Sequence, residues 1–89
     1  QRRQEAAIRL AQKSDLMLVV GGSNSANTKR LAEACSPIVE THLLERAGEV
    51  NGSWLIGKHH IGITAGASTP DEALEELLAK LNFLAKLVA

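Results

Sequence analysis

Apolar and polar positions along the chain divide it into helices and strands. From Gln4 to Lys13, Ala7, Ile8, Leu10 and Ala11 fall on one helical face. Leu16-Met17-Leu18-Val19-Val20 is an unbroken apolar run bounded by Asp15 and Gly21-Gly22, the pattern of a strand buried on both faces of a parallel sheet. A small polar loop, Gly21 to Asn27, leads to a predicted helix from Thr28 to about Ser36, which Pro37 ends. Ile38 to Leu44 is the second strand. Glu40, Thr41 and His42 make it polar enough for a sheet edge. Glu45 to Gly52 is turn-rich, and Ser53 to Ile56 reads as one helical turn that packs Trp54 on the core. His60 to Thr64 is the third strand, followed by a second small-residue loop, Ala65 to Ser68. Thr69 then stands as an N-cap, Pro70 at the first helical position and Glu72 where a capping box needs it. Leu74, Leu77, Leu78, Leu81, Leu84 and Leu87 form the stripe of this last helix. Phe83 and Val88 widen it beyond one core contact, which predicts a second packing surface.

Helices alternating with strands predict one α/β domain over residues 1–89, with a small three-stranded parallel sheet flanked by helices in three layers. With the second strand outside the first, the order is 2-1-3. Both glycine-containing loops then leave neighbouring strands at their carboxyl ends, the switch point at which open α/β sheets bind ligands.

Composition narrows the function. Ten basic and ten acidic residues cancel, which argues against nucleic acid and anionic membranes as partners. The apolar run from Leu16 is far too short to span a membrane, and the polar start does not resemble a signal peptide, so a cytoplasmic location is expected. The single cysteine, Cys35, excludes a disulfide within the chain and cannot hold a zinc or iron–sulfur site alone; it reads as a small buried hydrophobe.

The two loops carry the chemistry. Gly21 and Gly22 let the backbone turn and approach a ligand, and Ser23, Asn24, Ser25 and Asn27 supply donors without negative charge. The predicted helix after them opens Thr28-Lys29-Arg30, with cations where the helix dipole disfavours them. A bound phosphate reverses that cost. The last helix opens with Pro70-Asp71-Glu72, which complements its dipole, so the departure belongs to the first loop. Ser68 and the backbone of the second loop would reach the same anion from the other side. Against this stands a local reading, in which Ser and Asn simply favour turns and helix starts. The residues therefore point to phosphate without saying which phosphate.

Other signals are weaker. The Gly-rich dinucleotide and P-loop patterns are absent. Gly62-Ile63-Thr64-Ala65-Gly66 has Thr where a nucleophile elbow has Ser, and no acid–base partner. His59 and His60 are adjacent and would point apart, so they read as solvated rather than metal-binding, and His42 reads as structural. Asp71, Glu72, Glu75 and Glu76 read as a solvated helix face.

Arg3-Gln4-Glu5-Ala6, Leu18-Val19-Val20-Gly21, Asn24-Ser25-Ala26-Asn27 with Arg30-Leu31, Ser53-Trp54-Leu55 and Gly62 to Pro70 occur in the order seen in one family. Over essentially its whole length the chain resembles the last domain of the LytB family of 4-hydroxy-3-methylbut-2-enyl diphosphate reductases. The resemblance implies an oxidoreductase of the non-mevalonate isoprenoid pathway that makes isopentenyl and dimethylallyl diphosphates. It also implies three similar α/β domains around a [4Fe–4S] cluster held by one cysteine from each. The family grips the substrate diphosphate with the N-S-S-N loop and the serine of T-A-G-A-S. Those contacts fall here on Ser25, Ala26, Asn27 and Ser68. Ala26 replaces the family's second serine, so a hydroxyl is lost while the backbone N–H remains.

The family's third cluster cysteine would precede Gln1, and Cys35 matches no ligand. The catalytic glutamate and the diphosphate-binding histidines belong to other domains. The chain is thus expected to be a fragment of the enzyme, without a cofactor or reductase activity of its own. Its expected partners are the diphosphate substrate and the enzyme's other domains, with self-association through the last helix. The alternatives are a non-catalytic phosphate-binding module and a purely structural, engineered α/β unit.

Overall fold

The computed structural model describes residues 2–22, 24–66 and 69–88. Ser23, Ser68 and the side chains of Leu87 and Val88 lie outside the described residues. Three helices, α1 (Arg2–Gln12), α2 (Ala26–Cys35) and α3 (Asp71–Val88), flank strands β1 (Leu16–Val20), β2 (Glu40–Leu44) and β3 (Ile61–Ala65). The strands form one parallel sheet in the order β2-β1-β3, as the sequence predicts. Two short 3-10 helices, Ala47–Glu49 and Gly52–Leu55, lie between β2 and β3.

All five β1 side chains are at most 2% exposed, because a central strand in a three-layer fold has no solvent face. Its pleat divides them between two cores. Leu16, Leu18 and Val20 join Leu44, Val50, Leu55, Leu77 and Leu81 beneath α3 and the 3-10 helices. Met17 and Val19 face α1 and α2, where Ala7, Ala11, Leu31 and Cys35 close the other layer. Cys35 is fully buried, its thiol 3.7 Å from the Ala7 carbonyl, as a small hydrophobe would be. Burial pushes the thiol pKa up, which disfavours the thiolate. Trp54 packs against the α3-side core and stacks face to face on His42, with ring centroids 3.7 Å apart. No helix among the described residues is long and apolar enough to cross a membrane.

Several boundaries move from their sequence-based positions. β2 begins at Glu40 because the N–H groups of Ile38 and Val39 turn back to the Cys35 carbonyl. α2 begins two residues early, at Ala26, because the Ser25 hydroxyl accepts from the Thr28 N–H at 3.2 Å and so caps the helix there. Lys29 and Arg30 therefore stand at the fourth and fifth helical positions, not in the first three.

At the other end of the sheet, Asp15 joins the starts of β1 and β3. One of its carboxylate oxygens accepts from the backbone N–H groups of His59 (2.9 Å) and His60 (3.1 Å). Those bonds, the one from His59 first, hold the Asp15 carboxyl below its usual range. A depressed carboxylate pKa stabilises the fold above the ordinary carboxylate range, and that stability is lost as pH falls toward the folded value. Asp15→Asn is thus expected to lower the melting temperature at neutral pH, with the difference from the native chain closing below about pH 4. A melting-temperature series against pH checks this; a gap that stays constant into acid would contradict it.

Candidate functional site

β1 and β3 are paired in register, Val20 opposite Ala65, so the two glycine loops begin side by side at Gly21 and Gly66. Three hydrogen bonds fix this exit. The Gly21 N–H donates to the Leu44 carbonyl at 2.9 Å, and the Gly66 N–H donates to the Val20 carbonyl at 3.0 Å. The same Val20 oxygen accepts from the Thr69 hydroxyl at 3.1 Å. Thr69, expected as the cap of a last helix with Pro70 at its first position, instead ties the second loop to the end of β1, and α3 begins at Asp71. The Thr69 N–H bonds the Gly66 carbonyl at 3.1 Å.

Thr28 joins the two loops from above. It lies in the first turn of α2 and is 1% exposed, the sole buried polar side chain among the described residues. A methyl group on Gly21 would lie 2.3 Å from its Oγ1, and one on Gly66 would lie 2.6 Å from the same atom. Both positions must therefore be glycine for reasons of space. Neither adopts positive φ, which among the described glycines belongs to Gly57 alone. Gly21 thus admits the Thr28 side chain, while Gly22 has open space around its Cβ position.

Of the four residues the sequence singles out, Ser25, Ala26 and Asn27 stand at the N-cap and the first two positions of α2. Ser25 and Asn27 are half-buried and Ala26 is exposed. Ser68 lies outside the described residues, between the anchored Gly66 and Thr69. Helix geometry leaves the Ala26 and Asn27 N–H groups without an intrahelical acceptor, and no acidic residue occupies the first turn. Asp71 and Glu72 open α3 by contrast. The start of α2 thus combines outward N–H donors, a partial positive charge and exposed Lys29 and Arg30 next to it, a combination suited to an anion. Sequence reading missed Thr28 as the residue that joins the loops; the one available signal was its spacing of three from Ser25, which a capping interaction requires.

The remaining candidates are structural. His59 and His60 are exposed, and their backbones serve Asp15. His42 hydrogen-bonds Glu40 at 2.7 Å beside its stack on Trp54. The His42 bond, then Lys58 at 3.0 Å, lowers the Glu40 pKa. Among the described residues no three His, Cys, Asp or Glu side chains gather as metal ligands would. A cavity of about 460 Å³ opens at the far end of β3, lined mainly by Leu55, Ile56, Ile61, Leu81 and Ala85. It is mostly apolar, with Lys58 and His59 also lining it, and lies away from both loops.

Known proteins give this arrangement a family. The family model described as LytB protein matches residues 1–82. The 4-hydroxy-3-methylbut-2-enyl diphosphate reductase of Dehalococcoides mccartyi is 49% identical over 82 residues, 92% of this chain and 29% of that protein. The reductase of the same name from Pelobacter propionicus is 47% identical over 85 residues, 94% of this chain and 30% of its own length. Among solved structures, (E)-4-hydroxy-3-methyl-but-2-enyl diphosphate reductase, the terminal enzyme of the non-mevalonate pathway, superposes with a TM-score of 0.88 at 38% identity. That match covers 91% of this chain and 29% of the other. The Plasmodium falciparum E-1-hydroxy-2-methyl-but-2-enyl-4-diphosphate reductase superposes with a TM-score of 0.76 at 28% identity, over 92% of this chain and 26% of that one. The chain therefore spans a little under a third of the length of such relatives. With the family model matched from residue 1 to residue 82, the chain belongs to the LytB family.

Proposed function

We propose that this chain is the diphosphate-gripping unit of a 4-hydroxy-3-methylbut-2-enyl diphosphate reductase, corresponding to the family's third domain, in the cytoplasm. Ser25, the Ala26 N–H, Asn27 and Ser68 hold the diphosphate. The observation that supports this reading is the meeting of two strand exits and the first turn of α2 at Thr28, whose Oγ1 lies against both Gly21 and Gly66. The task of these residues is to bind and orient. They hydrogen-bond and fix the diphosphate so that the rest of the enzyme can act on the hydroxymethyl end of the substrate.

The [4Fe–4S] cluster associated with the family does not fit this chain. Its one cysteine is buried in the α1/α2 layer with a raised pKa, whereas cluster iron takes thiolates from several cysteines. Cluster ligands and the proton donor belong to other parts of the enzyme, so the isolated chain binds diphosphate but carries out no reduction.

On α3, Leu78 and Phe83 are 51% and 62% exposed. We assign these two side chains, which lie on different sides of α3, to contacts with the remainder of the reductase, and the isolated chain is expected to self-associate through them. Sedimentation velocity would then show mass rising with concentration; a monomer at every concentration, with no hydrophobic dye bound, contradicts that assignment.

The reading as a whole is tested by calorimetric titration of the chain with inorganic diphosphate. One-to-one binding, weakened by added salt and poorly matched by sulfate, is expected. A chain that binds none is a structural unit, in which Ser25 acts only as the cap of α2.

A further inference from the structure

We infer that Thr28 is a positioning residue for the diphosphate site, its hydroxyl orienting the Ser25 proton toward the anion. The inference rests on the proposed diphosphate reading and goes one atom further.

A buried hydroxyl must find a partner. The Thr28 hydroxyl, 1% exposed, finds it in Ser25 Oγ, to which it donates at 3.0 Å. The Thr28 N–H donates to the same oxygen at 3.2 Å. A serine hydroxyl has two lone pairs and one proton. Thr28 occupies both lone pairs, so the Ser25 proton is left for a third partner. A diphosphate oxygen is such a partner, since it accepts without donating. An ordinary N-cap serine accepts from one backbone N–H and keeps a lone pair free to turn toward water. The second bond from Thr28 removes that freedom and makes Ser25 a committed donor. The Thr28 Oγ1 also sits against both strand-exit glycines, so the atom that polarises Ser25 is referenced to both loops at once.

A packing role and a positioning role predict opposite rankings. Thr28→Val keeps the γ-methyl shape and removes the hydroxyl, while Thr28→Ser keeps the hydroxyl and removes the methyl. If Thr28 only fills space, valine preserves affinity for inorganic diphosphate and serine weakens it. Under the inference, Thr28→Ser binds within about twofold of the native chain and Thr28→Val loses about tenfold. Because Thr28 acts through Ser25, the double variant S25A/T28V binds no worse than Ser25→Ala alone. Circular dichroism first establishes that each variant is folded. Should Thr28→Val not fold, Thr28→Ala against Thr28→Ser makes the same comparison, since both lack the γ-methyl and differ only in the hydroxyl. Native-like binding by Thr28→Val (or by Thr28→Ala, where that variant stands in), or multiplied losses in the double variant, overturns the inference and leaves the diphosphate reading intact. No binding by the native chain overturns both.

Discussion

Replacing Gly21 with alanine is expected to lower the melting temperature by roughly 10 °C and to weaken diphosphate binding at least about tenfold, while the same change at Gly22 does neither. The added methyl at Gly21 would lie 2.3 Å from Thr28 Oγ1, 2.7 Å from its Cγ2 and 3.0 Å from its Cβ. These atoms cannot retreat. Thr28 is β-branched, sits in the first turn of a helix, and its helix is pinned by Leu31 and Cys35, both 0% exposed. Relief must come from moving α2 off the sheet, which separates Ser25 from the second loop. Overpacking of this kind costs about 1–3 kcal/mol, and in a chain this small each kcal/mol moves the midpoint by about 4–8 °C. Gly22 has nothing within 4 Å of the corresponding position, so the neighbouring alanine is the internal control. Equal melting temperatures for the two variants would show that Thr28 is not wedged against the β1 exit.

Leu31→Ala is expected to cost about 2–5 kcal/mol, the range for truncating a leucine inside a packed core. The α1/α2 layer makes the upper part of that range apt. Its buried set comprises Ala7, Ala11, Met17, Val19, Leu31 and Cys35, so Leu31 is the one large side chain that either helix contributes. Its helix-borne neighbours Ala7, Ala11 and Cys35 are small and leave little to collapse into the cavity. The loss should lower the melting temperature by more than about 10 °C. Leu78→Ala, on an α3 leucine that is 51% exposed, should stay within about 0.5 kcal/mol when measured at a concentration where the chain is monomeric. Urea or thermal unfolding of the two variants gives the comparison directly. Similar midpoints would mean that α2 is not held by this layer, and the rigid placement of Ser25 would lose its support.

Much of the architecture can be read from local pattern. The run Leu16 to Val20 is apolar at every position, which only a strand covered on both faces requires, and that places β1 in the centre. Glu40, Thr41 and His42 interrupt the second strand, and it lies at an edge. With β1 central and β2 at an edge, three strands leave only the order 2-1-3. Boundaries are less legible, because they are settled by single hydrogen bonds. The Ser25 cap starts α2 early, and the Cys35 carbonyl delays β2 to Glu40. A hydroxyl and a carbonyl carry no periodic signal.

The site divides in the same way. Ser25 and Asn27 stand out as polar residues between a glycine pair and a helix. Thr28 does not. Flanked by Asn27 and Lys29, it has the surroundings of an exposed residue, and only the pairing of β1 with β3 brings Gly21 and Gly66 together beneath it. His42 shows the same limit: its ring lies on Trp54, a partner no local spacing picks out. Contacts made across the sheet depend on the whole topology, so they become visible only when the fold is assembled.

In the proposed site two neighbouring strand exits serve one anion. A titration of the isotope-labelled chain with inorganic diphosphate, followed residue by residue through the backbone amides, tests this most directly. The predicted result is a set of shifts confined to residues 22–30 and 65–69 that saturate together with a single dissociation constant. Shifts in one loop alone, different constants for the two, or perturbation centred on the apolar cavity at the start of β3 would contradict it.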